Sequence, residues 1–123
     1  MQFARVLVQC LAPAAEGQTR YLLLDEPTAS LDPRHQNEVL RVVAALAHEA
    51  GMGVLVVLHD VNLAARWCDR LALLTKGRLA VAGVPAIVLT EANLWSVYGV
   101  KANVVAHPLM PGRVLVLFGV EGA

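Results

Sequence analysis

The chain is predicted to fold as an α/β domain, a parallel sheet with flanking helices and a small β-hairpin at its C-terminal end. Three observations predict it. Two short apolar runs, Tyr21-Leu22-Leu23-Leu24 and Val54-Leu55-Val56-Val57-Leu58, have the length and continuity of strands buried on both faces. Each run ends in a polar pair, Asp25-Glu26 in one case and His59-Asp60 in the other. A helical pattern follows each pair, and this repeated order is that of a parallel sheet whose polar sites line the C-terminal ends of its strands.

The elements follow in chain order. Phe3, Val6, Leu7, Cys10 and Leu11 are apolar at helical spacing and stop before Pro13, which predicts a short opening helix. Glu16-Gly17-Gln18 reads as a turn, and Tyr21 to Leu24 as a strand closed by Pro27, which cannot donate to a ladder. Asp32-Pro33 is a helix start: the Asp side chain accepts from free N–H groups, and Pro suits a first position that needs no donor. That helix is predicted to reach about Ala50, where Gly51 and Gly53 introduce the strand Val54 to Leu58. A short helix through Trp67 follows His59-Asp60. Leu71 to Leu74, the turn Lys76-Gly77 and Arg78 to Val81 read as a hairpin. Pro85 and Thr90 open two short helices ending near Tyr98-Gly99, and the runs Lys101 to Ala106 and Arg113 to Phe118 form the terminal hairpin.

Length and composition bound the function. The 123 residues suffice for one small domain with a core of its own, and hydrophobic residues make up 57% of them. That exceeds the roughly 45–50% of ordinary soluble domains because of the Val/Leu runs, none of which nears the ~18 apolar residues of a membrane span. Met1-Gln2-Phe3-Ala4-Arg5 carries no secretion signal, and a cytoplasmic location is expected. Ten basic and ten acidic residues cancel without clustering, which speaks against a nucleic-acid partner. Cys10 and Cys68 show no metal-binding or redox spacing and are assigned no function. His35, His48 and His107 read as surface or turn residues, and Trp67, Trp95 and Tyr98 as packing residues rather than a base-stacking platform.

The chemistry is expected at Asp25 and Glu26. A carboxylate at the end of a buried strand is where nucleotide hydrolysis needs a hard oxygen ligand for Mg²⁺, and Asp25 is the candidate. A second carboxylate directly after it can orient or deprotonate the attacking water, which gives Glu26 the role of base. By themselves two acids before Pro27 are equally a strand running into a turn, and a lone His59 after a strand is more often a satisfied polar residue. The neighbouring residues decide between these readings.

Leu22 to Asp32, Leu-Leu-Leu-Asp-Glu-Pro-Thr-Ala-Ser-Leu-Asp, resembles the Walker B segment and D-loop of ABC-type ATPases almost without departure. Val54 to Asp60 resembles the strand and switch histidine of the same family, with one helix between. The resemblance covers essentially the whole chain and implies a partial P-loop NTPase core, residues 1–123 being the C-terminal part of an ABC nucleotide-binding domain. It implies ATP and Mg²⁺ as ligands, Asp25 on the metal, Glu26 as catalytic base and His59 as γ-phosphate contact. Ser30 and Asp32 would lie on the D-loop between two nucleotide-binding subunits, although Asp32 is equally explained as a helix cap. Leu58 to Arg66 and Val97 to Val100 most resemble the ATP-binding subunits of importers for hemin, ferric siderophores and cobalamin, and hemin is the first choice. Such a subunit sits at the cytoplasmic face of the inner membrane, works with permease subunits and a second nucleotide-binding subunit, and is served indirectly by a periplasmic substrate-binding protein.

The departure from the family is large. A P-loop needs GxxxxGK[ST], and the only lysines, Lys76 and Lys101, do not follow a glycine. The signature loop is absent as well, so Met1 is expected to be an internal start in a truncated gene. In the family the P-loop strand lies between the His59 strand and the Leu71 strand, and its loss is expected to leave backbone edges and apolar faces bare. Two other readings stay open: a non-catalytic module that docks on an intact subunit, and a soluble ABC-type ATPase of translation or DNA repair.

Overall fold

A computed structural model describes residues 4–10 as backbone and residues 20–119 with their side chains. Among the described residues seven strands and four helices follow one another as β1 (Ala4–Cys10), β2 (Tyr21–Asp25), α1 (Pro33–His48), β3 (Gly53–Leu58), α2 (Val61–Trp67), β4 (Leu71–Thr75), β5 (Arg78–Gly83), α3 (Pro85–Val88), α4 (Glu91–Tyr98), β6 (Ala102–Ala106) and β7 (Val114–Phe118). The α/β class and the terminal hairpin are as the sequence predicts. Glu16-Gly17-Gln18 lies outside the described residues.

The opening helix is a correction. Ala4–Cys10 is a strand, and Phe3 and Leu11 lie outside the described residues. A short apolar run with Val6 and Val8 satisfies either period, so what decides is the place it occupies. The main sheet has the order β2-β3-β1-β4-β5, and β1 pairs antiparallel with both neighbours, Val6 opposite Leu58 on one side and Leu73 on the other. The edges of β3 and β4 are therefore not left bare: β1 supplies partners for backbone groups that would otherwise go unpaired.

The parallel ladder is β2 on β3, with Tyr21 opposite Gly53 and Asp25 opposite Val57. Strand side chains alternate between the two faces of a sheet. Val54, Val56, Leu58, Leu71 and Leu73 point to one face, where Leu40, Val43 and Ala47 of α1 and Val61, Ala64 and Ala65 of α2 cover them as one buried cluster. The cluster continues through Val88, Leu89, Leu94 and Val97 to Ala102 and Val116 of the terminal hairpin, so that hairpin shares the core. Among the described side chains, those of the other face are largely open. Tyr21 is 73% exposed, Leu23 68% and Leu79 61%, and Leu55, Ala72 and Leu74 between them are only half-buried.

Local rules explain the element ends. Pro33 opens α1 behind the cap Asp32, Thr90 caps α4 by accepting from the Asn93 N–H, and Gly99 closes α4 in the left-handed conformation that glycine adopts without cost.

Candidate functional site at the ends of β2 and β3

Parallel pairing brings the C-terminal ends of β2 and β3 side by side. One residue past β2, the Glu26 N–H donates to the Val57 carbonyl at 2.9 Å, extending the ladder by one bond. The chain then turns sharply, with Ala29 N–H donating to the Glu26 carbonyl and Leu31 N–H to the Thr28 carbonyl, both at 3.2 Å. Glu26 takes φ 53° and Ser30 φ 64°, left-handed values that cost a residue with a Cβ on the order of 1–2 kcal/mol. Strain of this kind persists only where the surroundings impose it, and it gathers at functional sites. Pro27 ends the pairing, and Thr28 is buried beneath the turn.

His59 leaves the end of β3 two residues after Val57, and its Nε2 meets the Glu26 carboxylate at Oε1. The pair is half-open to solvent, the imidazole side chain 50% exposed and the carboxylate 29%. A carboxylate held by an imidazole in a shallow, partly desolvated corner can orient a water and accept its proton. Asp25 stands beside Glu26 as the last, exposed residue of β2. Its carboxylate is a hard oxygen donor of the sort that suits Mg²⁺, an ion commonly held by one or two carboxylates together with phosphate oxygens and water. Among the described residues no group of three or more His, Cys, Asp or Glu could hold a metal ion.

Ser30 and Asp32 are exposed on the loop into α1. The Asp32 carboxylate caps that helix, accepting from the His35 N–H at 2.9 Å and meeting His35 Nδ1 at 2.8 Å. The His35 backbone N–H, followed by its ring, holds the Asp32 carboxyl below the usual carboxylate range. Of the five residues singled out from the sequence, Glu26 and His59 are in contact, and Asp25 precedes Glu26 as the last residue of β2. Ser30 and Asp32 lie further along the same loop.

Several residues that support the corner escape sequence reasoning. Asp60 caps α2 through the N–H groups of Asn62, at 2.9 Å, and Leu63, at 3.1 Å. Asn62 bonds the backbone of Val116, and Arg113 donates to the Ala65 and Cys68 carbonyls at 3.2 and 2.8 Å. An Asn inside a helical pattern is the signal that marks such a position, because its amide competes with the helix backbone unless it is engaged elsewhere. The Trp67 indole donates to Asn37 at 3.1 Å and His48 meets Asp69 at 2.7 Å, two links between α1 and the far end of α2.

No protein-family model matches the chain. Among curated proteins it is 66% identical over 117 residues to the hemin import ATP-binding protein HmuV of Bordetella pertussis, covering 95% of this chain and 45% of that protein. The protein of the same name from Bordetella avium is 62% identical over 117 residues, and that from Myxococcus xanthus 49% over 116 residues. This chain covers 44% and 43% of those two, so it spans less than half the length of the relatives it matches. Among solved structures, an inward-facing metal-chelate type ABC transporter matches with a TM-score of 0.69 at 25% identity, over 80% of this chain and 40% of that one.

Proposed function

We propose, for a chain that belongs to the ATP-binding subunits of ABC transporters, that it carries the hydrolytic corner of the ATPase that energises hemin import. The observation that carries the proposal is the contact between Glu26 and His59 at adjoining strand ends, one residue after Asp25 closes β2.

In this reading Glu26 orients the attacking water and takes its proton, while His59 steadies that carboxylate and contacts the γ-phosphate of ATP. Asp25 would hold Mg²⁺, which when bound neutralises charge on the phosphate oxygens. Ser30 and Asp32 face a second nucleotide-binding subunit. The whole protein works at the cytoplasmic face of the inner membrane with permease subunits, served indirectly by a periplasmic substrate-binding protein. No helix among the described residues is long and apolar enough to cross a membrane.

Residues 1–123 are, on this reading, the C-terminal part of the nucleotide-binding domain, with the Walker B, D-loop and switch-histidine regions and neither Walker A nor signature loop. Most of the electrostatic stabilisation of the phosphoryl group comes from a P-loop, so the chain alone is inactive. Equilibrium binding of labelled ATP tests this. The chain alone neither binds nor hydrolyses ATP; adding a fragment that carries a P-loop and signature loop gives binding and magnesium-dependent turnover, which Glu26→Gln abolishes. Turnover indifferent to Glu26→Gln overturns the assignment, and a chain that never binds ATP with the fragment present is a non-catalytic docking module instead. A ferric siderophore or cobalamin cargo is the second reading, favoured by the likeness to a metal-chelate type transporter.

A further inference from the structure

His59 is joined without a break to α2: Asp60 caps the helix and Val61 is its first residue. With only seven residues, α2 has few internal bonds to fix its position, and its setting depends on what grips it. The terminal hairpin grips it at both ends.

Near the start of α2, the Asn62 amide donates from Nδ2 to the Val116 carbonyl at 2.9 Å and accepts at Oδ1 from the Val116 N–H at 2.8 Å. This two-way pairing reproduces a strand neighbour on the edge of β7 that faces away from β6, and Val116 is 2% exposed. A two-bond contact to a buried backbone sets the rotation of the helix about its axis as well as its distance. At the other end Arg113, one residue before β7, holds the Ala65 and Cys68 carbonyls.

We infer that Asn62 is a positioning residue: by locking α2 onto β7 it sets the place of His59 against Glu26. The inference rests on the reading of Glu26 and His59 as a working pair. It makes the terminal hairpin, whose bonds to α2 and its C-terminal cap span 45 to 54 residues of sequence, part of the support for that corner.

The test reads the Glu26–His59 contact directly, without nucleotide. The ring ¹⁵N resonances of His59, identified by their loss in His59→Asn, are recorded with Glu26 present and in Glu26→Gln. In the wild-type background Glu26→Gln displaces them; in Asn62→Ala that displacement falls several-fold, while in the control His48→Gln, which breaks only the link to Asp69, it is retained in full. Should Asn62→Ala fail to give a dispersed amide spectrum, Arg113→Gln, which loosens the other end of α2, is read in the same way. A full displacement in Asn62→Ala, or in Arg113→Gln where that variant is used, overturns the positioning role and leaves the pair standing. No displacement in the wild-type background overturns the pair and the inference together.

Discussion

The backbone N–H of Glu26 donates to the carbonyl of Val57 at 2.9 Å, and this bond lies one step beyond the last ladder pair, Asp25 opposite Val57. It holds Glu26 at φ 53°, on the strand end from which its carboxylate reaches His59. Backbone and side chain at position 26 therefore make separable demands.

Substitution separates them. Glu26→Gly relieves the left-handed backbone and leaves thermal stability unchanged or slightly raised, while the contact with His59 is lost. Glu26→Val places a β-branched side chain at the same φ and lowers stability by about 1–3 kcal/mol. Denaturant unfolding of the two variants checks the order; equal stabilities would refute it.

Asp32 links helix α1 to acid. Its folded pKa is depressed, chiefly by the His35 N–H, so its contribution is present above the unfolded value of 3.8 and is lost as pH falls through the lower folded value. Asp32→Asn keeps an acceptor for the cap and removes the titration. The wild type is expected to lose stability relative to Asp32→Asn as pH falls below about 4 in thermal melts, and parallel curves would contradict the cap.

Tyr98 behaves in the opposite sense. Burial, with the Asp60 charge adding to it, pushes its hydroxyl up to about 12, and that hydroxyl has no hydrogen-bond partner among the described residues. An acid with a raised folded pKa favours the fold while protonated, so its contribution is full below the unfolded value of 10.0 and is lost as pH rises through about 12. Tyr98→Phe removes an unpartnered polar group and keeps the ring packed edge-on against Phe118. Its melting temperature at neutral pH is expected to equal or exceed that of the wild type, and its alkaline ultraviolet titration to lack the step near 12.

The open sheet face is a liability in solution. Leu23 and Leu79 are so exposed that replacing both with Lys changes stability by only about 0.5 kcal/mol each. Light scattering of the concentrated chain is expected to fall in the double variant, because exposed apolar surface drives association. Unchanged scattering would place the sticky surface elsewhere.

Much of this architecture was legible residue by residue. Pro27, Asp32-Pro33, Thr90 and Gly99 mark element ends through local conformational preferences, and α1, α3, α4 and the hairpin strands lie within a few residues of where those preferences put them. The acidic pair after Leu24 and the His after Leu58 were legible as polar residues at strand ends. Their convergence was expected from the family resemblance, not from the local patterns, since the contact depends on the parallel register that sets Asp25 opposite Val57.

The segment Ala4–Cys10 marks the limit. Its apolar pattern suits a helix, and it is a strand because β3 and β4 offer backbone partners on both sides, a fact no local window contains. The same holds for Asn62, whose amide bonds Val116 across a gap of 54 residues. By itself the sequence determined the family resemblance, the order of elements from Tyr21 onward and the residue types at the strand ends, because those follow from short-range patterns. Tertiary structure alone decided that Glu26 and His59 touch, that β1 completes the sheet and that the terminal hairpin holds α2, because each is a pairing between distant segments whose geometry exists only once the core has closed.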